Sequence, residues 1–208
     1  METSAIAKLL QPFVKLDEMR LHAILRYIDL LLKWNVRVNL TAVRVPEEIV
    51  QRHFGESFYA ANYVLSKKRV ESMIDLGSGA GFPGVPFAML SPDLQVTLIE
   101  SNQKKATFLK ELVLALGLTN AKVFSGRAES YVQSAERVTM RAVEKFDKVL
   151  LLAQTLAQSG GQIVLMISSS QVETAKGVAT ETEWSEPVAV PGSHSRVLLI
   201  GTKSVKVE

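Results

Sequence analysis

One run of this sequence is suited to meeting a ligand with its backbone: Met73-Ile74-Asp75-Leu76-Gly77-Ser78-Gly79-Ala80-Gly81-Phe82-Pro83-Gly84. Apolar residues lead straight into a glycine-rich turn, and a short helix is predicted from Pro83. Glycines at such a place let the chain approach a ligand closely, and a helix N-terminus offers unpaired N–H groups. Gly79, Gly81 and Gly84 match the dinucleotide pattern G-x-G-x-x-G. Read from Asp75, the same run is D-x-G-x-G-x-G with the acid at the strand's end. That register suits a ligand with a cationic amino group and no pyrophosphate, as in the methionine part of S-adenosylmethionine. Glu100 ends the next β-rich run, 23 residues after Gly77. An acid there accepts both hydroxyls of a ribose, and NAD or S-adenosylmethionine would use it alike. The loop by itself leaves both cofactors open.

Two later places could complete such a site. Ser125-Gly126-Arg127-Ala128-Glu129 is a polar turn after a third β-rich run, where an adenine edge would rest. Glu129 is otherwise a helix-start acid facing the dipole. The fourth run ends in Thr139-Met140-Arg141-Ala142-Val143, and its carboxyl end would face the reaction centre. Arg141 there could hold a phosphate or a base edge, or else form a surface ion pair with Glu144. The chain has no cysteine, which removes disulfides, thiolate metal sites and any cysteine nucleophile. Its three histidines, His22, His53 and His194, are scattered, so no metal is expected.

The elements that must position these residues follow from hydrophobic periodicity. Leu21, Ile24, Leu25, Ile28, Leu31 and Leu32 recur at helical steps and predict an amphipathic helix over 17–34. Pro46 followed by two glutamates reads as the first turn of a second helix reaching about Leu65. From Val70 five β-rich runs alternate with helical stretches, which predicts a parallel sheet covered by helices on both faces. Two more strands, around Pro187–Val190 and Arg196–Thr202, are separated by only Pro-Gly-Ser-His. They predict a hairpin that brings an antiparallel strand into the sheet. The expected organisation is a basic helical region over 1–69 and a ligand-binding domain over 70–208. Residues 1–70 hold 11 Lys/Arg against 7 Asp/Glu, whereas 71–208 hold 13 against 14. The positive excess of this +3 chain therefore lies in the first third, as a phosphate-backbone partner would need. With 47% apolar residues, no long uncharged run and early charges at the N-terminus, a cytoplasmic protein without a membrane span is expected.

With these residues in view, the sequence resembles the bacterial small-subunit ribosomal RNA methyltransferase G family, also called glucose-inhibited division protein B. The matching residues are Lys33-Trp34-Asn35 with Asn39-Leu40-Thr41, and His53-Phe54-Gly55-Glu56-Ser57. They continue with Asp75 to Gly84, Glu100, Arg127-Ala128-Glu129 and Met140-Arg141-Ala142. The chain departs from the family's pattern at Ile167-Ser168, where a Lys-Gly pair is common, and at Glu56, where an aspartate is usual. The resemblance implies a class I S-adenosylmethionine-dependent methyltransferase fold. That is a Rossmann-like α/β fold whose mostly parallel seven-stranded sheet includes an antiparallel strand, here with an N-terminal helical extension. It also implies methyl transfer to N7 of a guanosine in the decoding region of 16S rRNA, with rRNA or a small-subunit precursor as partner; a monomer is expected. Family cofactor contacts carry over to Gly77, Phe82, Ala128, Glu129 and Arg141. With the residue reading, the expected cofactor site is Asp75, Gly77, Gly79, Gly81, Phe82, Glu100, Ala128, Glu129 and Arg141.

Cysteine-dependent methylation of a pyrimidine ring carbon is closed to this chain. The Asn/Asp-Pro-Pro-aromatic loop used on exocyclic amines is also missing, since that place reads Arg141-Ala142-Val143-Glu144. Guanine N7 already carries a lone pair and loses no proton when attacked, so no general base is assigned and Arg141 is the expected positioning group. Lys33, Arg37 and Arg44 are the expected RNA contacts. Trp34 reads as a core residue beside Leu31 and Leu32 before it reads as a stacking platform, and His53 as a structural hydrogen-bonder. The other readings are a small NAD-dependent oxidoreductase, which lacks a Tyr-x-x-x-Lys pair here, and a non-catalytic RNA-binding module of the same fold.

Overall fold

The first third of the chain is helical, as its periodicity requires. In the computed structural model, which describes residues 1–205, α1 (Thr3–Leu10) and α2 (Glu18–Asn35) are followed by α3 (Pro46–Glu48). The helix then continues as a π-helical segment, Ile49–Gly55, into α4 (Glu56–Lys67). The Asp17 side chain caps α2 by accepting from the Arg20 amide at 2.8 Å. The one helix expected from Pro46 therefore exists, but with a π-turn in its middle. π-Turns shift the register of a helix face and cluster at functional sites. This one carries Arg52 and His53 to the wall of a cavity.

Strands β1 (Ser72–Leu76), β2 (Gln95–Glu100), β3 (Ala121–Ser125), β4 (Ala135–Arg141) and β5 (Ala157–Ser168) all run parallel. Helices α5 (Gly84–Leu90), α6 (Gln103–Ala115), α7 (Phe146–Leu156) and α8 (Val172–Val178) supply the crossovers. Strands β6 (Thr182–Trp184), β7 (Val188–Ala189) and β8 (Arg196–Lys203) complete the sheet, with the order β3-β2-β1-β4-β5-β8-β6. β8 is antiparallel to β5, and the predicted hairpin of β7 with β8 is present. The sequence predicts seven strands and the described residues hold eight. The position beyond β8 is shared by two short strands, β6 against Gly201–Lys203 and β7 against Val197–Leu198. Pro187 falls between them, and a proline has no N–H to continue a ladder.

The sheet has one apolar core on each face. Ile24, Ile28 and Leu31 of α2 pack in the same cluster as Val85, Leu98 and Leu109, so the N-terminal helices close one face of the sheet. Leu150, Ala153 and Ala175 of α7 and α8 cover the other with Ile74, Val138 and Ile163. No described helix is long and apolar enough to cross a membrane.

Candidate functional site

The glycine loop leaves the carboxyl end of β1, the strand between β2 and β4. Asp75 is completely buried there; its Oδ1 accepts from Thr139 Oγ1 at 2.9 Å and its Oδ2 from the Gly84 amide at 3.2 Å. Burial pushes its carboxyl up to about 6 against the lowering effect of these hydrogen bonds. The residue pattern puts Asp75 in contact with the ligand. The structure instead puts it behind the loop, with both oxygens bonded, where it ties the start of α5 to β4. Strand alternation is the reason: this side chain turns into the sheet's packed face rather than out of the strand end. Gly84 can be only glycine, because a Cβ there would stand 2.8 Å from Asp75 Cβ. Gly81, at φ +94°, likewise packs against the Tyr27 hydroxyl and does not line the cavity.

The other expected cofactor residues do meet at one place. A cavity of about 1050 Å³ lies over the carboxyl ends of β1, β2 and β4, with Gly77, Gly79 and Phe82 on one wall. Glu100, Ala128, Glu129 and Arg141 also line it. Gly77 (φ +66°) and Gly79 (φ +54°) present bare backbone to this space, in a conformation that favours glycine. Glu100 Oε2 accepts from the Gly79 amide at 2.9 Å and Oε1 from the Asn102 amide at 2.7 Å. Each oxygen keeps a further lone pair for a hydroxyl donor. Glu129 is exposed, with Arg127 and Lys148 each 3.7 Å away. A bond from its own backbone N–H, then these cations, hold its carboxyl below the usual range. Backbone cradle, ribose acid and adenine-side turn thus fit a nucleoside with an amino-acid tail, which is the shape of S-adenosylmethionine.

Arg141 ends β4 inside the protein. Its Nη2 reaches Glu56 Oε2 and the Arg52 carbonyl, both at 2.7 Å, and its Nη1 lies 3.4 Å from Ser57 Oγ. The surface pair with Glu144 that the sequence left open is replaced by this buried pair with Glu56, because α4 packs its first turn over the strand end. Burial lowers the guanidinium's pKa and Glu56 opposes that. Beside it, Phe82 lies between the Tyr27 ring (centroids 5.1 Å apart) and the His53 ring (5.0 Å). Tyr27 also donates to the Ala80 carbonyl at 2.5 Å. Three aromatic rings therefore lock α2 and the π-segment onto the glycine loop. His53 Nε2 is 2.7 Å from Thr41 Oγ1, and Thr41 is held by Asn35, whose Nδ2 donates to the Thr41 carbonyl at 2.8 Å. His53 is thus a structural hydrogen-bonder, as expected, and it fixes the 40–43 loop that lines the cavity.

Sequence reasoning leaves Tyr27, Thr41 and Glu56 out of the site. A signal exists for Glu56, the one acid in the apolar-rich stretch 54–64 and one helical turn before Ala60. Tyr27 carries none, being one more apolar position on its helix. Trp34 is half-buried, edge-on to Phe108 and donating to Glu111 Oε2 at 3.0 Å, which agrees with its core reading. Lys33, Arg37 and Arg44 are exposed and flank the 40–43 loop rather than line the cavity.

His53 supports a pH prediction. Burial first, then Arg141, Arg52 and Arg196, lower its pKa from 6.5 to about 3. The unfolded chain therefore binds more protons here between about pH 6.5 and 3. This contribution to stability is full above 6.5 and lost as pH falls through that window. Asp75, raised from 3.8 to about 6, acts oppositely: its contribution is full below 3.8 and lost as pH rises through 6. His53→Asn is expected to flatten the acid side of the urea-denaturation midpoint against pH. An unchanged acid side would contradict the buried neutral imidazole.

Solved structures share this architecture. Ribosomal protein L11 methylase from Lactobacillus delbrueckii aligns with a TM-score of 0.63 at 9% identity, over 74% of this chain and 79% of that one. M. jannaschii TYW2, solved in complex with AdoMet, aligns at 0.59 and 19% identity over 76% and 77%. The strand order, with its reversed β8, and the glycine loop facing the acid that ends β2 define the fold of class I S-adenosylmethionine-dependent methyltransferases. A Chromobacterium violaceum protein named ribosomal RNA small subunit methyltransferase G is 39% identical over 188 residues, 88% of each chain. One of the same name from Xylella fastidiosa is 41% identical over 155 residues, 74% of this chain and 71% of that one. The family described as GidB, rRNA small subunit methyltransferase G, matches residues 20–197, and the chain belongs to it.

Proposed function

We propose that this protein transfers the methyl group of S-adenosylmethionine to N7 of a guanosine in the decoding region of 16S rRNA. The single observation that carries the reading is the convergence, in one cavity, of the glycine cradle, Glu100 and Arg141 in a chain of this family. Bound S-adenosylmethionine supplies an electrophilic methyl carbon on sulfur. Gly77 and Gly79 would lie against its amino-acid tail, Glu100 would accept from its ribose, and the turn at Ala128-Glu129 would meet its adenine. Asp75 acts indirectly, by holding the loop to Gly84 and Thr139.

The remaining work is alignment. N7 has its lone pair available and gives up no proton, so the protein must hold nucleophile, carbon and sulfur in line. Such positioning supplies on the order of 7–11 kcal/mol in favourable cases. Arg141, fixed by Glu56 and two backbone carbonyls, stands at the cavity wall and would help set the position of the base. Guanine N7 lies on the major-groove edge, which a regular A-form helix keeps deep and narrow, so the target nucleotide is unpaired or exposed when bound. Assay of purified protein on naked 16S rRNA and on assembled subunits, with mass spectrometry of the product, tests this. No methyl transfer to either substrate would sink it.

Lys33, Arg37 and Arg44 would hold the RNA backbone near the 40–43 loop. Replacing Lys33 and Arg37 by Ala is expected to weaken RNA binding and flatten its salt dependence by about 0.7–0.9 for each phosphate no longer neutralised. S-adenosylmethionine affinity, read by calorimetry, is expected to stay the same. An unaltered salt slope would move the basic contact surface elsewhere.

A further inference from the structure

Two arginines, one lining the cavity and one at the neighbouring strand end, have no acidic partner among the described residues. Arg52 stands on the π-helical segment and lines the cavity; its carbonyl is taken by Arg141, while its exposed guanidinium has no hydrogen bond or ion pair among the described residues. Arg196 opens β8. Because β8 runs antiparallel to β5, Arg196 stands opposite Ser168, at the carboxyl end of β5. Arg141 pairs with Met166, two residues before Ser168, so the two strand ends lie side by side at the top of the sheet. The half-buried Arg196 side chain likewise has no partner among the described residues, although its backbone is pinned by the Ser193 hydroxyl at 3.0 Å.

Both arginines lie close enough to His53 and Arg141 to disfavour their protonated forms. The carboxylates that act on Arg141 are Glu56, engaged with it at 2.7 Å, and Asp75, bonded to Thr139 and Gly84. With Arg141 answered by Glu56, the charges of Arg52 and Arg196 are left without a counter-ion among the described residues, a positive field beside the neutral His53 imidazole. A field of this kind concentrates anions. The sheet order places it on the β8 side of β4, whereas the adenine-side turn at Gly126–Glu129 follows β3 at the other edge. An acceptor entering between Arg141 and this cationic edge would lie opposite the turn proposed to meet the cofactor's adenine.

We propose that Arg52 and Arg196 form a phosphodiester-binding subsite that grips the RNA backbone next to the target nucleoside, distinct from the surface of Lys33, Arg37 and Arg44. Guanidinium groups suit this task because they meet phosphate oxygens in pairs. The inference rests on the reading of the chain as an rRNA methyltransferase, and the two are separable by experiment. Fluorescence anisotropy of a labelled 16S rRNA fragment over a range of KCl would compare wild type, Arg196→Gln, Arg196→Lys, Arg52→Gln/Arg196→Gln and, as a control near the start of β3, Lys122→Gln. The double variant is expected to lose about tenfold or more in affinity, equivalent to about 1.4 kcal/mol. Its salt slope should become shallower by about 0.7–0.9 for each phosphate it no longer grips. Arg196→Lys is expected to keep most of the slope, and Lys122→Gln all of it. Calorimetric affinity for S-adenosylmethionine, unchanged in every variant, confirms that each is folded. A double variant with the wild-type slope and intact cofactor affinity overturns the subsite and leaves methyl transfer standing. If wild type methylates no small-subunit rRNA but the double variant still loses its slope, methyl transfer fails and the subsite stands.

Discussion

Replacing Glu56 by Ala is expected to destabilise the protein by about 3–5 kcal/mol, because it strands a buried cation. Arg141 has an 8% exposed side chain, and Glu56 is its sole ion-pair partner among the described residues. The carbonyls of Arg52 and His53 and the Ser57 hydroxyl would still accept from it, but none carries a charge to offset desolvation. Glu56→Gln, which keeps an acceptor and loses the charge, should cost less. The double variant Glu56→Ala/Arg141→Met should recover much of the loss, since removing both ions also removes the desolvation penalty. Urea denaturation of the three variants measures this. If Glu56→Ala unfolded at the wild-type urea concentration, the pair would have no part in holding α4 to the strand end.

Gly77→Asp is expected to cut S-adenosylmethionine affinity by about 100-fold or more, equivalent to about 2.7 kcal/mol. The reason is geometric and electrostatic together. Gly77 sits at φ +66° with its α-carbon toward the cavity, and a Cβ there would lie 3.2 Å from Val143 Cγ1. A carboxylate on that carbon would fill the cradle and repel the carboxylate of the ligand's tail. Gly77→Ala separates the two causes, since it brings the backbone strain of about 1–2 kcal/mol without the charge. Calorimetry with each variant, alongside a thermal-melt check of folding, reads the result. Wild-type affinity in Gly77→Asp would mean that the loop is not the cofactor's floor.

Much of the architecture is legible in the sequence because it rests on local pattern. Helix periodicity places α2 within one residue of its observed ends, and the β-rich runs locate all five parallel strands. The missed element, β6, has only three residues, and its pairing with β8 depends on a partner some twenty residues away. The wall proposed for the cofactor is legible for a different reason: glycines with positive φ and an acid at a strand end are requirements carried by residue type at short spacing. Seven of the nine expected cofactor residues line the cavity. The two that do not, Asp75 and Gly81, face Thr139 and Tyr27, groups 64 and 54 positions away along the chain.

The sequence by itself determined the fold class, the glycine cradle and the absence of cysteine chemistry, since each follows from residue type and short-range spacing. Only the tertiary structure decided the partners of the buried charges. Whether Arg141 meets Glu144 or Glu56, and whether Asp75 meets a ligand or Thr139, depends on which face of one element packs on another. No spacing along the chain encodes that choice. The same holds for Arg196, brought beside the carboxyl end of β5 by the antiparallel return of β8, 144 residues after Arg52.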